Sequence, residues 1–174
     1  VVQRGEQVYI PDGNFELQSG DRIGIVGAPA EITKFLKNIA MLKKQAKDVM
    51  ILGGSKSAYY LAKMLLAAGH SVKIIELQKE KAQMLADNLH GATVIYGDGA
   101  QQELLLEEGI DSMDAFVALT GIDEENILLS YFALGKKVQK VIAKVNRDEF
   151  TPIAEDLGIE SIICPMDIVS VFVV

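Results

Sequence analysis

The chain has 174 residues, of which 49% are hydrophobic and 24% charged, and its length can hold one full domain and part of another. The formal net charge of −7 argues against nucleic acid as a partner, because a protein that binds a phosphate backbone needs a basic face. No apolar run approaches the roughly 20 residues of a membrane span, and the single cysteine, Cys164, excludes an internal disulfide and suits a reducing cytoplasm.

Residues 1–40 contain few predicted elements. Short strands are predicted at 8–10, 15–17 and 22–26, each bounded by turn residues. Residues 29–39 carry apolar side chains at helical spacing. So few elements bury too little surface to be stable alone, so we expect them to complete a larger lobe. The chain begins at Val1 rather than Met, from which we expect a piece of a longer protein.

Residues 49–76 carry the sequence pattern that is most informative about function. A predicted strand at 49–52 stops at Gly53, a helix with one apolar stripe follows, and a second strand at 72–75 leads to the carboxylate of Glu76. This order is that of the first βαβ unit of a dinucleotide-binding fold. The turn lets backbone N–H groups face a pyrophosphate, and an acid about 20 residues after the first glycine reaches the ribose hydroxyls.

The turn departs from the dinucleotide pattern G-x-G-x-x-G at two positions. It runs Gly53-Gly54-Ser55-Lys56-Ser57-Ala58. Ala58 replaces the third glycine, which only packs helix on strand. Ser55 replaces the second, where the backbone approaches the phosphates, so we expect its side chain to crowd a pyrophosphate and the chain to bind nucleotide weakly.

From residue 48 onward, predicted strands and helices alternate. The later strands are predicted at 93–96, 114–119, 141–145 and 160–164. Units of this length predict an α/β fold with a doubly wound (Rossmann-like) parallel sheet of about six strands, preceded by a partial small α+β lobe. Residues 165–174 begin like a helix and end in an apolar run, from which we expect self-association.

In a doubly wound sheet the ligand lies beyond the carboxyl ends of the strands, at the point where the strand order reverses. The candidate nucleotide-binding residues at those ends are Gly53, Gly54, Ser55, Lys56, Ser57, Glu76, Asp98, Thr120, Gly121 and Arg147. Lys56 and Arg147 are the strong positive charges predicted near the phosphates. We predict no catalytic residue and no metal ligand.

Several of these residues have a simpler interpretation. Glu76 could be a solvated carboxylate at a strand end, and Lys56 and Arg147 could be ordinary surface cations. Asp98 lies between two glycines, and its role could be limited to shaping a turn. The acidic residues at 123–125 most simply complement the N-terminus of a helix.

Three motifs carry a family resemblance. Gly97-Asp98-Gly99, Ala118-x-Thr120 and Asp123-Glu124-x-Asn126 correspond to the GD and T-x-x-DE-x-N motifs of regulator-of-potassium-conductance (RCK) domains. The chain more closely resembles the Trk-type potassium uptake regulatory subunit (TrkA family). Lys56 stands where that family has an Arg that reaches the phosphates. The opening residues, including Arg4-Gly5 and Ser19-Gly20-Asp21, resemble the end of the family's smaller C-terminal lobe.

The resemblance implies both an organisation and a function. Residues 1–40 would be the partial C-terminal lobe of a preceding RCK-type half, 41–47 a linker, and 48–174 a TrkA N-type nucleotide-binding domain. The chain would be part of a cytoplasmic regulatory subunit that senses NAD(H), or an adenine nucleotide such as ATP or ADP. It would gate a TrkH-like membrane potassium transporter at the inner face of the membrane, and form a homodimer or larger ring held by the last strand and helix.

Two other functions stay open. An NAD-dependent oxidoreductase fragment would need a substrate domain and a positioned acid or base, for which about 125 residues leave no room. A degenerate Rossmann scaffold that binds nothing and serves oligomer assembly is supported by Ser55.

Overall fold

The structure, a computed structural model, describes residues 1–39 and 46–165. The chain divides into two units, Val1–Gln45 and Ala46–Val174, which are described separately. Most of the predicted linker and the apolar end of the chain, at 166–174, lie outside the described residues. Within those residues, no helix combines the length and the apolar character that crossing a membrane requires.

The first unit is a small antiparallel sheet followed by a helix. The strands β1 (Val2–Arg4), β2 (Gln7–Tyr9) and β3 (Arg22–Ile23) pair in the order β2-β1-β3, and α1 spans Pro29–Asn38. Residues 15–17, predicted as a strand, form a loop instead, and the first strand of the sheet was not predicted.

Arg4 explains the loop. Its guanidinium donates to both carboxylate oxygens of Asp21, at 2.7 and 2.8 Å, and to the backbone oxygen of Glu16, at 3.0 Å. It also lies over the rings of Tyr9 and Phe15. The Glu16 carbonyl therefore bonds to a side chain rather than to a neighbouring strand.

The second unit is a six-stranded parallel sheet with helices on both faces. Its strands are β4 (Asp48–Leu52), β5 (Ser71–Glu76), β6 (Ala92–Tyr96), β7 (Ala115–Ala118), β8 (Lys140–Lys144) and β9 (Ser161–Ile163). Its helices are α2 (Lys56–Ala67), α3 (Lys79–Asn88), α4 (Gln102–Glu107), α5 (Asp123–Gly135) and α6 (Thr151–Asp156). The order β6-β5-β4-β7-β8-β9 confirms the doubly wound α/β fold.

The core is divided by the sheet. Alternate residues of β4 face opposite sides, as the pleat of a strand requires. Val49 and Ile51 pack with buried residues of α2 and α3, whereas Met50 and Leu52 pack with those of α4 and α5. A third cluster joins β8 to α5 and α6. Because strand order reverses on the two sides of β4, the carboxyl ends of β4 and β7 frame a crevice.

Candidate functional site

A cavity of about 360 Å³ lies at this crevice, near the lower end of the range typical of ligand sites. Seven of the ten predicted site residues line it: Gly53, Gly54, Ser55, Glu76, Asp98, Thr120 and Gly121. Lys56, Ser57 and Arg147 do not. Lys81, Glu125 and Lys144, which were not predicted as site residues, also contribute to the lining.

The turn at Gly53 and Gly54 requires glycine for two different reasons. Gly53 has φ +92°, which side chains rarely adopt, and an added Cβ would lie 3.0 Å from the backbone oxygen of Leu119. At Gly54 an added Cβ would lie 2.7 Å from Oε2 of Glu76 and 2.7 Å from Cδ1 of Leu85. The first glycine thus serves the backbone conformation, and the second serves a close approach.

Glu76 fixes this turn from the end of β5. Its side chain is buried, with 6% of the residue exposed. One carboxylate oxygen accepts a hydrogen bond from the backbone N–H of Gly54, and the other accepts from that of Gln78 at 2.8 Å. The interpretation of Glu76 as a solvated carboxylate is therefore wrong. A carboxylate has about four acceptor positions, and these two backbone bonds use two of them.

Ser55 begins the helix that follows the turn. It is the N-cap of α2, and its Oγ accepts from the backbone N–H of Ala58 at 3.2 Å. Its φ of −67° and ψ of 167° are extended values that any residue can adopt. The hydroxyl is thus already engaged within the helix. Lys56 and Ser57 are exposed on the first turn.

Asp98 lies in the loop after β6. Its Oδ1 accepts from the backbone N–H of Ala100 at 3.0 Å, so the carboxylate shapes the loop. The side chain is half-buried and lines the cavity as well. Nearby, partial burial and the charge of Asp98 raise the pKa of the Glu125 carboxyl.

Two buried polar side chains in the first turn of α5 were not predicted as functional. Asn126 contacts the loop after β7 and the end of β8. Asp123 accepts from Nδ2 of Asn146 at 2.7 Å and from the backbone N–H of Arg147 at 3.0 Å. Burial tends to raise the pKa of Asp123, but these hydrogen bonds outweigh it and the pKa is lowered. The acidic start of α5 therefore does more than complement a helix end. The spacing of three residues in the Asp123-Glu124-x-Asn126 motif was the available signal.

Arg147 is held outside the cavity by acidic and aromatic neighbours. Its guanidinium lies 2.5 Å from Oε1 of Glu124 and 3.5 Å from Oδ2 of Asp123, and 4.1 Å from the ring centre of Phe150. The lysines that line the cavity are instead Lys81, in the first turn of α3, and Lys144, at the end of β8. The residues that line the cavity therefore include two lysines beside three acidic residues.

Family models match both units of the chain. Residues 49–165 match the TrkA-N domain, and residues 1–40 match the TrkA-C domain. The Trk system potassium uptake protein trkA homolog 1 of Methanosarcina mazei is 31% identical over 167 residues, covering 95% of this chain and 41% of that protein. The TrkA protein of Vibrio alginolyticus is 34% identical over 155 residues, covering 89% and 34%. The chain thus spans about two fifths or less of these relatives.

Several solved structures share the fold of the second unit. The TrkA-N domain of inner membrane protein ybaL from Escherichia coli has a TM-score of 0.65 at 15% identity, over 74% of this chain and 94% of that one. The Kef CTD of Shewanella denitrificans in its AMP-bound form has a TM-score of 0.61 at 18% identity, over 71% of this chain and 74% of that one. The GsuK channel bound to NAD has a TM-score of 0.59 at 16% identity, over 78% of this chain and 25% of that one. At such identities the likeness establishes the fold.

The strand order, the glycine turn held by a buried acid, and a family match over 49–165 agree with one another. The chain belongs to the TrkA-N domain family.

Proposed function

We propose that this chain is the nucleotide-sensing part of a non-enzymatic regulatory subunit of a potassium uptake system. The observation that carries the proposal is the buried Glu76 carboxylate, which holds the Gly53–Gly54 turn at the edge of the cavity. A turn fixed in this way suits a ligand with phosphates and a ribose, because it places the N-terminus of α2 and a carboxylate at the same cavity. The names of the relatives, which are potassium uptake proteins, support the process.

NAD(H) is the proposed ligand, and ATP or ADP is the alternative. NAD and AMP share an adenosine monophosphate unit, and the fold neighbours that bind them are GsuK and Kef. Glu76 has acceptor positions left for ribose hydroxyls, while its negative charge disfavours a 2′-phosphate. NAD(H) is therefore expected to bind more tightly than NADP(H).

The cavity residues would divide between the two ends of such a ligand. Glu76 and Asp98 would meet the adenosine, and the start of α2 at Ser55 would meet the phosphates. Gly53 and Gly54, whose N–H groups donate to Ile75 and Glu76, would leave room for the phosphates to approach the backbone. Lys81 and Lys144 supply positive charge within the cavity. A dinucleotide exceeds a cavity of about 360 Å³, so part of it would extend outside. Lys56, Ser57 and Arg147 are the proposed contacts for that part, with Thr120 and Gly121 at the boundary.

Ligand binding would regulate the transporter by favouring one arrangement of subunits over another, as a population shift requires. The proposed partner is a TrkH-like membrane subunit, contacted from the cytoplasmic side. We further propose that 1–40 completes the C-terminal lobe of a preceding half, that 41–47 links it to the nucleotide lobe at 48–174, and that the whole protein is a homodimer or larger ring. The dimer is expected to be held by the last strand and the helix after it, and residues 166–174 of that region lie outside the described residues.

The structure weakens the support that Ser55 gave to the scaffold alternative. Its hydroxyl caps α2, and its backbone is extended, so its presence by itself does not indicate a degenerate site. An oxidoreductase is not favoured, because the relatives bear names of potassium uptake proteins.

Calorimetric titration of the chain with NADH, NAD, ATP, ADP and NADPH tests the proposal. We expect NADH or NAD to bind more tightly than NADPH. Glu76→Ala should weaken binding by about 1–3 kcal/mol, the range for lost charge-assisted hydrogen bonds. Glu80→Ala, which removes an exposed acid four residues later, is the matched control and should change nothing. Tighter binding of NADPH, or equal affinity for Glu76→Ala and the native chain, would contradict the proposal.

A further inference from the structure

Asn126 is a fully hydrogen-bonded buried amide. Its residue is 0% exposed. Oδ1 accepts from the backbone N–H of Thr120 at 3.0 Å and from Oγ1 of Thr120 at 2.8 Å. Nδ2 donates to the backbone oxygen of Lys144 at 2.9 Å and to that of Thr120 at 3.3 Å. An amide has two acceptor positions and two donor hydrogens, so every one is used. The backbone donor and acceptor partners also fix which atom is oxygen and which is nitrogen.

These bonds lie beyond the point where the strands β7 and β8 stop pairing. The last pair between β7 and β8 is Ala118 with Ala143. Thr120 and Lys144 come after that pair, and both line the cavity. Past the last β7–β8 pair, the Asn126 side chain therefore connects the backbones of Thr120 and Lys144 and sets their separation at the cavity wall.

Lys144 is one of the two lysines in that wall, and it is half-buried. Its backbone pairs with Ile163 of β9, and its carbonyl accepts from Asn126, so the point from which its side chain extends is fixed. A side chain with a fixed starting point has fewer positions to sample when it meets an anion, and pre-organised contacts bind more tightly.

We propose that Asn126 is a positioning residue that holds Lys144, and with it Thr120, for a nucleotide phosphate. The inference rests on the proposed nucleotide-binding function. Asn126 itself touches no ligand and acts through the residues that it holds.

The test is a double-mutant cycle of Asn126→Ala and Lys144→Met, with NADH and AMP affinities measured by calorimetry. The alanine removes the bonds to Thr120 and to the Lys144 carbonyl without adding a charge. We expect Asn126→Ala to weaken binding roughly tenfold in the native background and less than about twofold in the Lys144→Met background. A residue with a merely structural role would give the same loss in both.

Two controls keep the test informative. Ser130→Ala alters another fully buried polar residue of α5, whose Oγ has no hydrogen-bond partner among the described residues, and it should leave affinity unchanged. Lys140→Met removes a cation at the other end of β8, outside the cavity, and should also have no effect. If Asn126→Ala does not fold, the neutral variant Asn126→Ser takes its place in the cycle.

The outcomes separate the two proposals. Native binding with equal losses in both backgrounds, or with no loss for Lys144→Met, would overturn the positioning role alone. Failure of the native chain to bind any of the nucleotides would overturn the proposed function and this inference together. A loss of affinity on changing Asn126 that is seen only when Lys144 is present would establish the positioning role.

Discussion

Gly54→Ala is expected to be the most damaging single methyl addition at the site. The added Cβ would lie 2.7 Å from both Oε2 of Glu76 and Cδ1 of Leu85, closer than real Cβ atoms come. Leu85 is 0% exposed and Glu76 is 6% exposed, so neither side chain can move into solvent without cost. The substitution must therefore shift the acid, the leucine or the turn itself.

The expected cost follows from two effects. Overpacking of a well-packed core costs about 1–3 kcal/mol. A displaced Glu76 would also lose its hydrogen bonds from Gly54 and Gln78, and a hydrogen bond to a charged group contributes about 1.5–3 kcal/mol. With overpacking and the loss of one of these bonds, we expect the free energy of unfolding to fall by about 2.5–6 kcal/mol, a large part of the roughly 5–15 kcal/mol typical of a domain.

Urea unfolding followed by circular dichroism measures this loss. Gly121→Ala is the matched control, because Gly121 also lines the cavity but an added Cβ there would meet nothing within 4 Å. It should change the free energy of unfolding by no more than about 0.5 kcal/mol. A Gly54→Ala chain as stable as the native one, or an equally large loss in Gly121→Ala, would refute the reasoning.

Three further predictions concern other parts of the chain. In urea unfolding, Ser55→Ala should lower the free energy of unfolding by about 1 kcal/mol and Ser55→Gly by only a few tenths, because glycine is a tolerated N-cap. Ser55→Gly should also tighten NADH binding if the Ser55 side chain crowds the phosphates. A low-nanomolar dissociation constant of the native chain would show that it does not. Hydrogen bonds from Arg4 and from the backbone of Gln18 lower the pKa of Asp21 to about 2. The stabilisation from the Arg4–Asp21 pair should be complete above about pH 4 and disappear as the pH falls towards 2. An NMR titration of Arg4→Met in which the Asp21 pKa stayed low would contradict this. Lys137 has φ 64°, so Lys137→Gly should raise the free energy of unfolding by about 0.5–1 kcal/mol, while Lys136→Gly, at φ −84°, should lower it; equal effects would exclude backbone strain as the cause.

The sheet was predictable because its strands are buried on both faces. Such strands read as continuous apolar runs, and glycine ends them. The chain around β4 has both features, with Val49, Met50, Ile51 and Leu52 buried and Gly53 next. The alternation of strands and helices then leaves few possible topologies. The first unit lacked these signals, because its strands are two or three residues long and Arg4 organises its loop.

The cationic part of the site could not be predicted. Lys56 follows the glycine turn in sequence, yet it is exposed at the first position of α2 and does not line the cavity. Lys81 lines it because α3 starts at Lys79, a boundary that sequence patterns do not fix to one residue. Arg147 was a reasonable candidate at a strand end, but Asp123 and Glu124 hold it elsewhere. Those partners lie more than 20 residues away in the chain.

The position of β4 in the sheet also affects how the chain folds. β4 pairs with β5 along one edge and with β7 along the other, and the backbone of Asp48 bonds to the side chain of Asp114, 66 residues later. At a synthesis rate of about 5–20 residues per second, β4 emerges roughly 3–13 s before its second partner. During that interval its second edge exposes unpaired N–H and C=O groups of an apolar strand, which can pair with another chain. The arrangement that forms the crevice in the folded protein therefore exposes nascent chains to aggregation until β7 is complete.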